Sequence, residues 1–195
     1  MVRDDRSGTF MPVGLLVGHP LTMIAYLKNN YLAGIKTSPL RSLKFSLVTT
    51  LIYGLIAATV GFNGGLFNVQ LIDLSFAWFL PFTLFVFPSF FEESFFRGIL
   101  IPNNVKEKGL KFVLLIAVIS STLFVAWHPL SALTINKGAQ EIFLDPYFLF
   151  DVFCLGLACS LSYIYSRSLW VPVMIHWLTV VIWVHFLGGR NLILE

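Results

Sequence analysis

Between Phe76 and Ile101 the chain runs through Phe, Leu, Val and Ile, and inside that run stand Glu92, Glu93 and Arg97. At the centre of a membrane helix a charged residue costs about 2.5–3.5 kcal/mol, whereas each Leu or Phe returns only about 0.3–0.6. Three such charges roughly cancel the apolar run around them, so they cannot face lipid. They must face a protein interior or a water-filled cavity, and an intramembrane ionisable cluster of this kind is a candidate functional site.

On a helix Glu93 and Arg97 share a face and pair, while Glu92 points about 100° away. One carboxylate is therefore neutralised within its own helix and the other is left over. Pro88, one turn before Glu92, frees the carbonyl of Leu84 and predicts a kink that opens room beside the carboxylates. A single Glu–Arg pair would serve helix packing equally well, but the second, adjacent glutamate has no structural need.

The rest of the chain supports a membrane setting. Of 195 residues 57% are hydrophobic and 12% charged, against about a quarter charged in soluble proteins. The expected fold is all-α: a polytopic transmembrane helix bundle of about six membrane segments, with the site in a polar cavity between helices. The segments read as Pro12–Leu27, interrupted by Gly14, Gly18, His19 and Pro20; Phe45–Gly61; Phe82–Ile101, divided at Pro81 from a surface stretch Leu66–Leu80; Phe112–His128, closed by Pro129; Tyr147–Tyr165; and Val171–Leu187. Residues 1–75 are then N-terminal membrane segments and 76–195 a core bundle. No removable signal peptide is expected at the N-terminus.

A net charge of +3 does not mark a nucleic-acid partner, because the basic residues lie between apolar spans in the positive-inside pattern. Placing the links 28–44, 102–111 and 166–170 in the cytoplasm puts Lys28, Lys36, Arg41, Lys44, Lys106, Lys108, Lys111 and Arg167 there. The other side keeps Lys137 and Arg190, with Arg3 and Arg6 if the first segment spans. Cys154 and Cys159 are separated by about 7.5 Å of helical rise and read as small core residues that do not bond each other.

Four histidines occur. His128 ends one span and His176 lies inside the last. His185, nine residues further, falls on the opposite face from His176, and His19 belongs to the interrupted first segment. One carboxylate flanked by His128 and His176 is geometrically possible in the membrane interior.

EESFFRG (Glu92, Glu93, Arg97), FVAWH (Phe124, His128) and SLWVPVMIH (ending at His176) resemble, in order and spacing, the three motifs EExxxR, FxxxH and HxxxN/D of the CAAX protease and bacteriocin-processing (Abi) family of intramembrane glutamic proteases. The resemblance implies that Glu92 is the general base that activates water, that His128 holds or shares that water, and that Arg97 with Glu93 orients the site. His176 would help stabilise the oxyanion. The position four after His176, where the family has Asn or Asp, is Val180; the neighbouring Thr179 is the residue whose hydroxyl would substitute. No cofactor and no metal are implied, and the partners would be the bilayer and a membrane-associated or lipidated protein or peptide substrate.

Three other readings compete. Two histidines and a glutamate suffice for a catalytic zinc, although Arg97 would then set a cation beside the metal. A non-catalytic immunity or assembly factor would keep the bundle without turnover, and Val180 favours it. Proton relay or transport would use the same cavity, with only Asp151, Ser120, Ser121 and Thr122 to extend the path.

Overall fold

The computed structural model describes residues 20–72 and 77–189. Arg3, Arg6, His19, Asp73 and Arg190, and the part of the first segment before Pro20, lie outside the described residues.

In a bilayer every backbone N–H and C=O must be satisfied within the protein, which favours helices throughout. The chain forms α1 (Pro20–Lys36), α2 (Leu43–Asn63), α3 (Ala77–Ile99), α4 (Leu110–Thr134), α5 (Pro146–Ser166) and α6 (Trp170–Phe186), joined by short helical turns and links. Among the described residues four helices are long and apolar enough to cross a membrane: α2 with the turn before it, α3, α4 and α5. The protein is thus a membrane helical bundle. Helices α1 and α6 have 17 residues each, a rise of about 25 Å against a hydrocarbon core of about 30 Å.

Helix α5 is the centre of the bundle: its crossing stretch is 56% buried, against 17–28% for the other three. Its sequence explains this, because Gly156, Ala158, Cys159, Ser160 and Ser162 are small and buried and let neighbouring backbones approach closely. A Cβ on Gly156 would come within 3.1 Å of Ser121 Cβ and 3.3 Å of Arg97 Nη2. The helix begins where Asp145 accepts from the backbone N–H groups of Tyr147 and Phe148 at 2.8 and 3.0 Å, with Pro146 in the first turn, where its missing N–H costs nothing. It ends at Arg167, whose left-handed φ of 60° stops the helix and whose N–H closes on Tyr163 O at 2.8 Å.

The three basic links meet at one end of the bundle. Asn30 donates to Gly98 O and Ile101 O, each at 3.0 Å, and accepts from Asn103 N at 2.6 Å. Asn103 donates in turn to Arg167 O at 2.9 Å and Tyr163 Oη at 3.2 Å, and the Arg167 guanidinium donates to Asn103 O. Ser168 Oγ donates to Thr37 O at 2.7 Å and Trp170 to Ile35 O at 2.9 Å. At the opposite end the residues after Gly65 are extended and run beside the end of α6, with Asn68 N to Leu187 O at 3.2 Å and Gln70 N to Phe186 O at 3.1 Å.

Two expectations need correction. Helix α3 starts at Ala77, ahead of Pro81: Ala77–Phe79 forms a 3-10 turn and Pro81 falls in the first turn of the α-helical stretch from Leu80, where a proline loses no hydrogen bond. The break in α3 falls at Phe87, with extended angles of φ −136° and ψ 122°, directly before Pro88, where the sequence predicts the kink. Helix α4 continues through Pro129 to Thr134, so His128 sits inside the helix rather than at its end. The cost of one lost backbone bond is offset by burial beyond it, where Ala132 and Ala139 are almost fully enclosed and Gln140 donates to Ala132 O at 3.2 Å. Both cysteines are free, as their separation requires.

Candidate active site

The two adjacent glutamates are divided between wall and core. Glu93 is fully buried with Arg97, and its Oε1 accepts from Arg97 Nη1 at 2.9 Å. The same oxygen accepts from His176 Nδ1 at 3.0 Å, so one carboxylate oxygen joins α3 to α6. The guanidinium is held on two further sides: Nη2 donates to Gly156 O at 2.9 Å, and the plane lies 4.6 Å from the centroid of Phe124, within cation–π range. Neither Glu93 nor Arg97 lines the cavity next to them.

Glu92, one residue earlier, turns the other way. It lines a cavity of about 740 Å³ together with His128, His176, Thr179 and Val180. Its Oε1 accepts from the Trp127 indole N–H at 3.2 Å. Its Oε2 is buried without a hydrogen-bond partner among the described residues and stands 4.0 Å from His176 Nε2, too far for a direct hydrogen bond. The divergence follows from the ordinary turn between adjacent helical residues; on the C-terminal side of the two glutamates Leu100 N bonds to Phe95 O at 3.3 Å, a five-residue step that widens the helix, as wide turns often do near functional sites. Phe87 and Pro88 themselves form part of the cavity wall.

Each histidine has its tautomer set by the acceptor behind it, since a carbonyl or carboxylate oxygen only accepts. His128 Nδ1 donates to Phe124 O at 3.0 Å and His176 Nδ1 to Glu93 Oε1, leaving both Nε2 atoms for other partners. The His128 ring is wedged edge-on between Phe124, Phe143 and Phe148, with centroid distances of 5.1–5.5 Å. Phe124 also packs against His176 at 5.6 Å, so a single aromatic residue supports both imidazoles and the guanidinium.

Thr179 reaches the cavity wall, but its hydroxyl donates to Ile175 O at 2.9 Å within its own helix. Val180 lines the wall and presents no polar atom there. His185 stands apart from the cluster, bonded to Val181 O and Ala77 O. Trp127 and the carbonyl of Gly156 were not read from the sequence as members of the cluster. Trp127 had a signal in standing beside His128, and Gly156 had none, because its contribution is a backbone oxygen. Among the described residues no three His, Cys, Asp or Glu side chains are grouped so as to hold a metal ion.

A buried ion pair carrying a histidine stands behind the wall of a large, mostly apolar cavity into which a second carboxylate turns. Residues 73–182 match the family described as Type II CAAX prenyl endopeptidase Rce1-like. The match spans more than half of the chain, and the protein belongs to the Rce1-like family. It is accordingly assigned to the membrane CAAX endopeptidases, a class of proteases. No curated protein sequence and no solved structure matches it.

Proposed function

We propose that the protein hydrolyses a peptide bond of a membrane-associated or lipidated substrate with water activated by Glu92. The observation that carries this reading is the unequal placement of two neighbouring carboxylates: each has one oxygen without a partner among the described residues, but Glu93 is bound to Arg97 behind the wall, while Glu92 lines the cavity. Water between Glu92 Oε2 and the Nε2 atoms of His128 and His176 would lose a proton to Glu92 as it attacks the carbonyl carbon. Glu92 then returns that proton to the leaving amine, the usual economy of a general acid–base. His176, with Nδ1 on Glu93, would donate from Nε2 to the developing oxyanion as an imidazolium, carrying a proton on each nitrogen, with the Glu93 carboxylate as its counter-charge. Arg97 holds Glu93 in place, and Trp127 fixes the rotamer of Glu92.

The reaction in this reading is metal-independent. The protease-like core is 76–195, with residues before it adding membrane segments; Tyr53 and Ala57 of α2 contribute to the cavity wall. The three basic links that meet at one end face the cytoplasm, in keeping with the positive-inside rule. A second reading, a non-catalytic immunity or assembly factor, draws on one feature, the apolar Val180 at the wall.

The test uses the full chain in nanodiscs, with a fluorogenic prenylated CAAX peptide and its unprenylated twin. Cleavage is expected with Glu92 present and absent in Glu92→Gln, and it should survive exhaustive chelation. Undiminished cleavage by Glu92→Gln would sink the glutamate mechanism. Loss on chelation with recovery on adding zinc would replace it with a metal one.

A further inference from the structure

Asp151 is a buried carboxylate for which the peptidase reading has no use. It is 6% exposed, neither of its oxygens has a hydrogen-bond partner among the described residues, and it lines the same cavity as Glu92. It stands on the second turn of α5, and Phe148 and Leu155, three residues before and four after, also line the cavity, so all three occupy one helix face. Tyr53 of α2 lines the same cavity. A buried carboxylate without a donor or counter-charge is strongly unfavourable. At a cavity wall, a ligand that brings the missing donor removes that penalty.

The character of the cavity says which donor. Among the described residues its wall carries two carboxylates, Glu92 and Asp151, and no Lys or Arg, since Arg97 stands behind the wall on Glu93. Much of the remainder is apolar, including Phe62, Phe67, Leu80 and Leu84. A Lys or Arg side chain fits both properties: its hydrocarbon stem lies along apolar surface while its head makes a charge-assisted hydrogen bond. An acidic group in the same place would meet a carboxylate with no nearby cation to shield it.

We propose that Asp151 forms a specificity subsite that takes a basic side chain, Lys or Arg, of the peptide presented to Glu92. The subsite names a feature of the substrate and rests on the peptidase reading. Phe148 connects the two regions, since its ring packs against His128 at 5.5 Å one turn from Asp151.

The test reads binding in a chain that cannot cut. Full-length Glu92→Gln protein in nanodiscs is titrated with fluorescein-labelled apolar peptides in which one residue is Lys or its uncharged analogue norleucine, scanned through the peptide and followed by anisotropy. At one position the Lys peptide should bind about tenfold more tightly, in line with a hydrogen bond to a charged group. Adding Asp151→Asn should bring the Lys-to-norleucine ratio close to one, and Asp151→Glu should retain part of it. Equal affinities at every position, no binding of either peptide, or a ratio unaffected by Asp151→Asn would each overturn the subsite. If Asp151→Asn does not fold, the ratio in the Asp151 chain decides alone. Cleavage of the same Lys peptides by the chain that retains Glu92 is scored separately. A tenfold ratio without cleavage would leave the subsite standing and remove the peptidase.

Discussion

Asn30 and Asp151 are both polar side chains sunk into apolar helix packing, and only one of them is satisfied. Asn30 sits in a network with Asn103, Tyr163 and Arg167, in which its amide gives and receives three hydrogen bonds. Asp151 and Glu92 line a cavity and keep carboxylate oxygens without partners. Burying a polar group costs little net when it is bonded and a good deal when it is not. The first cluster therefore reads as what holds the ends of α1, α3 and α5 together. The second reads as what the bundle is built to present, because a cost that folding does not offset is one that a ligand can. Glu93 and Arg97 lie between these cases: they bond each other, yet each keeps one buried polar atom without a partner among the described residues, and they serve the cavity by holding His176.

The comparison is most exposed to Glu92→Gln. Removal of a general base should lower kcat by about 10²–10⁴, while the amide keeps an acceptor for Trp127 and thermal stability does not fall. A variant that loses activity together with its fold would place Glu92 with the structural cluster. Next is Arg97→Met, which leaves Glu93 buried without its cation and should destabilise the protein by about 3–5 kcal/mol, seen as a large fall in Tm. The double variant Glu93→Gln with Arg97→Met should lose less stability than Arg97→Met alone. If it loses more, the pair contributes through packing around Gly156 and Phe124 rather than through charge.

Comparable in size is Asn30→Leu, which strands the carbonyls of Gly98 and Ile101 and the N–H of Asn103. Each stranded buried group costs about 1–3 kcal/mol, so Tm should drop while kcat/KM per folded molecule stays level. A loss of kcat/KM at constant stability would mean that the distant network positions α3, and with it Glu92, more directly than its hydrogen bonds imply.

The parts of this arrangement that were legible in the sequence are those set by helical spacing and by the cost of charge in an apolar run. Glu93 with Arg97, the divergence of Glu92, the kink at Pro88 and the exclusion of His185 all follow from periodicity and proline chemistry. Other features depend on tertiary context. Pro129 should end a helix by local preference, but packing around Ala132 and Gln140 carries α4 past it. The strap after Gly65 is extended because the end of α6 offers carbonyls at Phe186 and Leu187, and no local pattern announces that partner. The weight of Asp151 was missed for a similar reason: a lone Asp in an apolar span shows that something must compensate it, and only the cavity shows that the described chain does not. The family match begins at residue 73 and so says nothing about Tyr53, which lines the cavity with that aspartate.

The smallest expected effect belongs to Thr179, and it also tests how far the satisfied-versus-unsatisfied distinction can be pushed. A missing oxyanion donor typically costs about 10²–10³ in rate, and Thr179 is the polar side chain next to the position where Val180 replaces the family's Asn or Asp. Its proton, however, already goes to Ile175 O, so by the logic that separates Asn30 from Asp151 it belongs with the satisfied groups. Thr179→Val, which removes the hydroxyl and changes the shape little, should then lower kcat less than about tenfold, well short of an oxyanion donor. Val180→Asn should raise kcat by adding a donor at an empty place on the wall. A loss of about 10²–10³ in Thr179→Val, with no gain from Val180→Asn, would show that the hydroxyl leaves Ile175 when substrate binds. In that outcome a hydrogen bond within one helix would not be enough to assign a cavity-lining residue to the fold, and the distinction would hold only for networks, like that of Asn30, that tie several helices together.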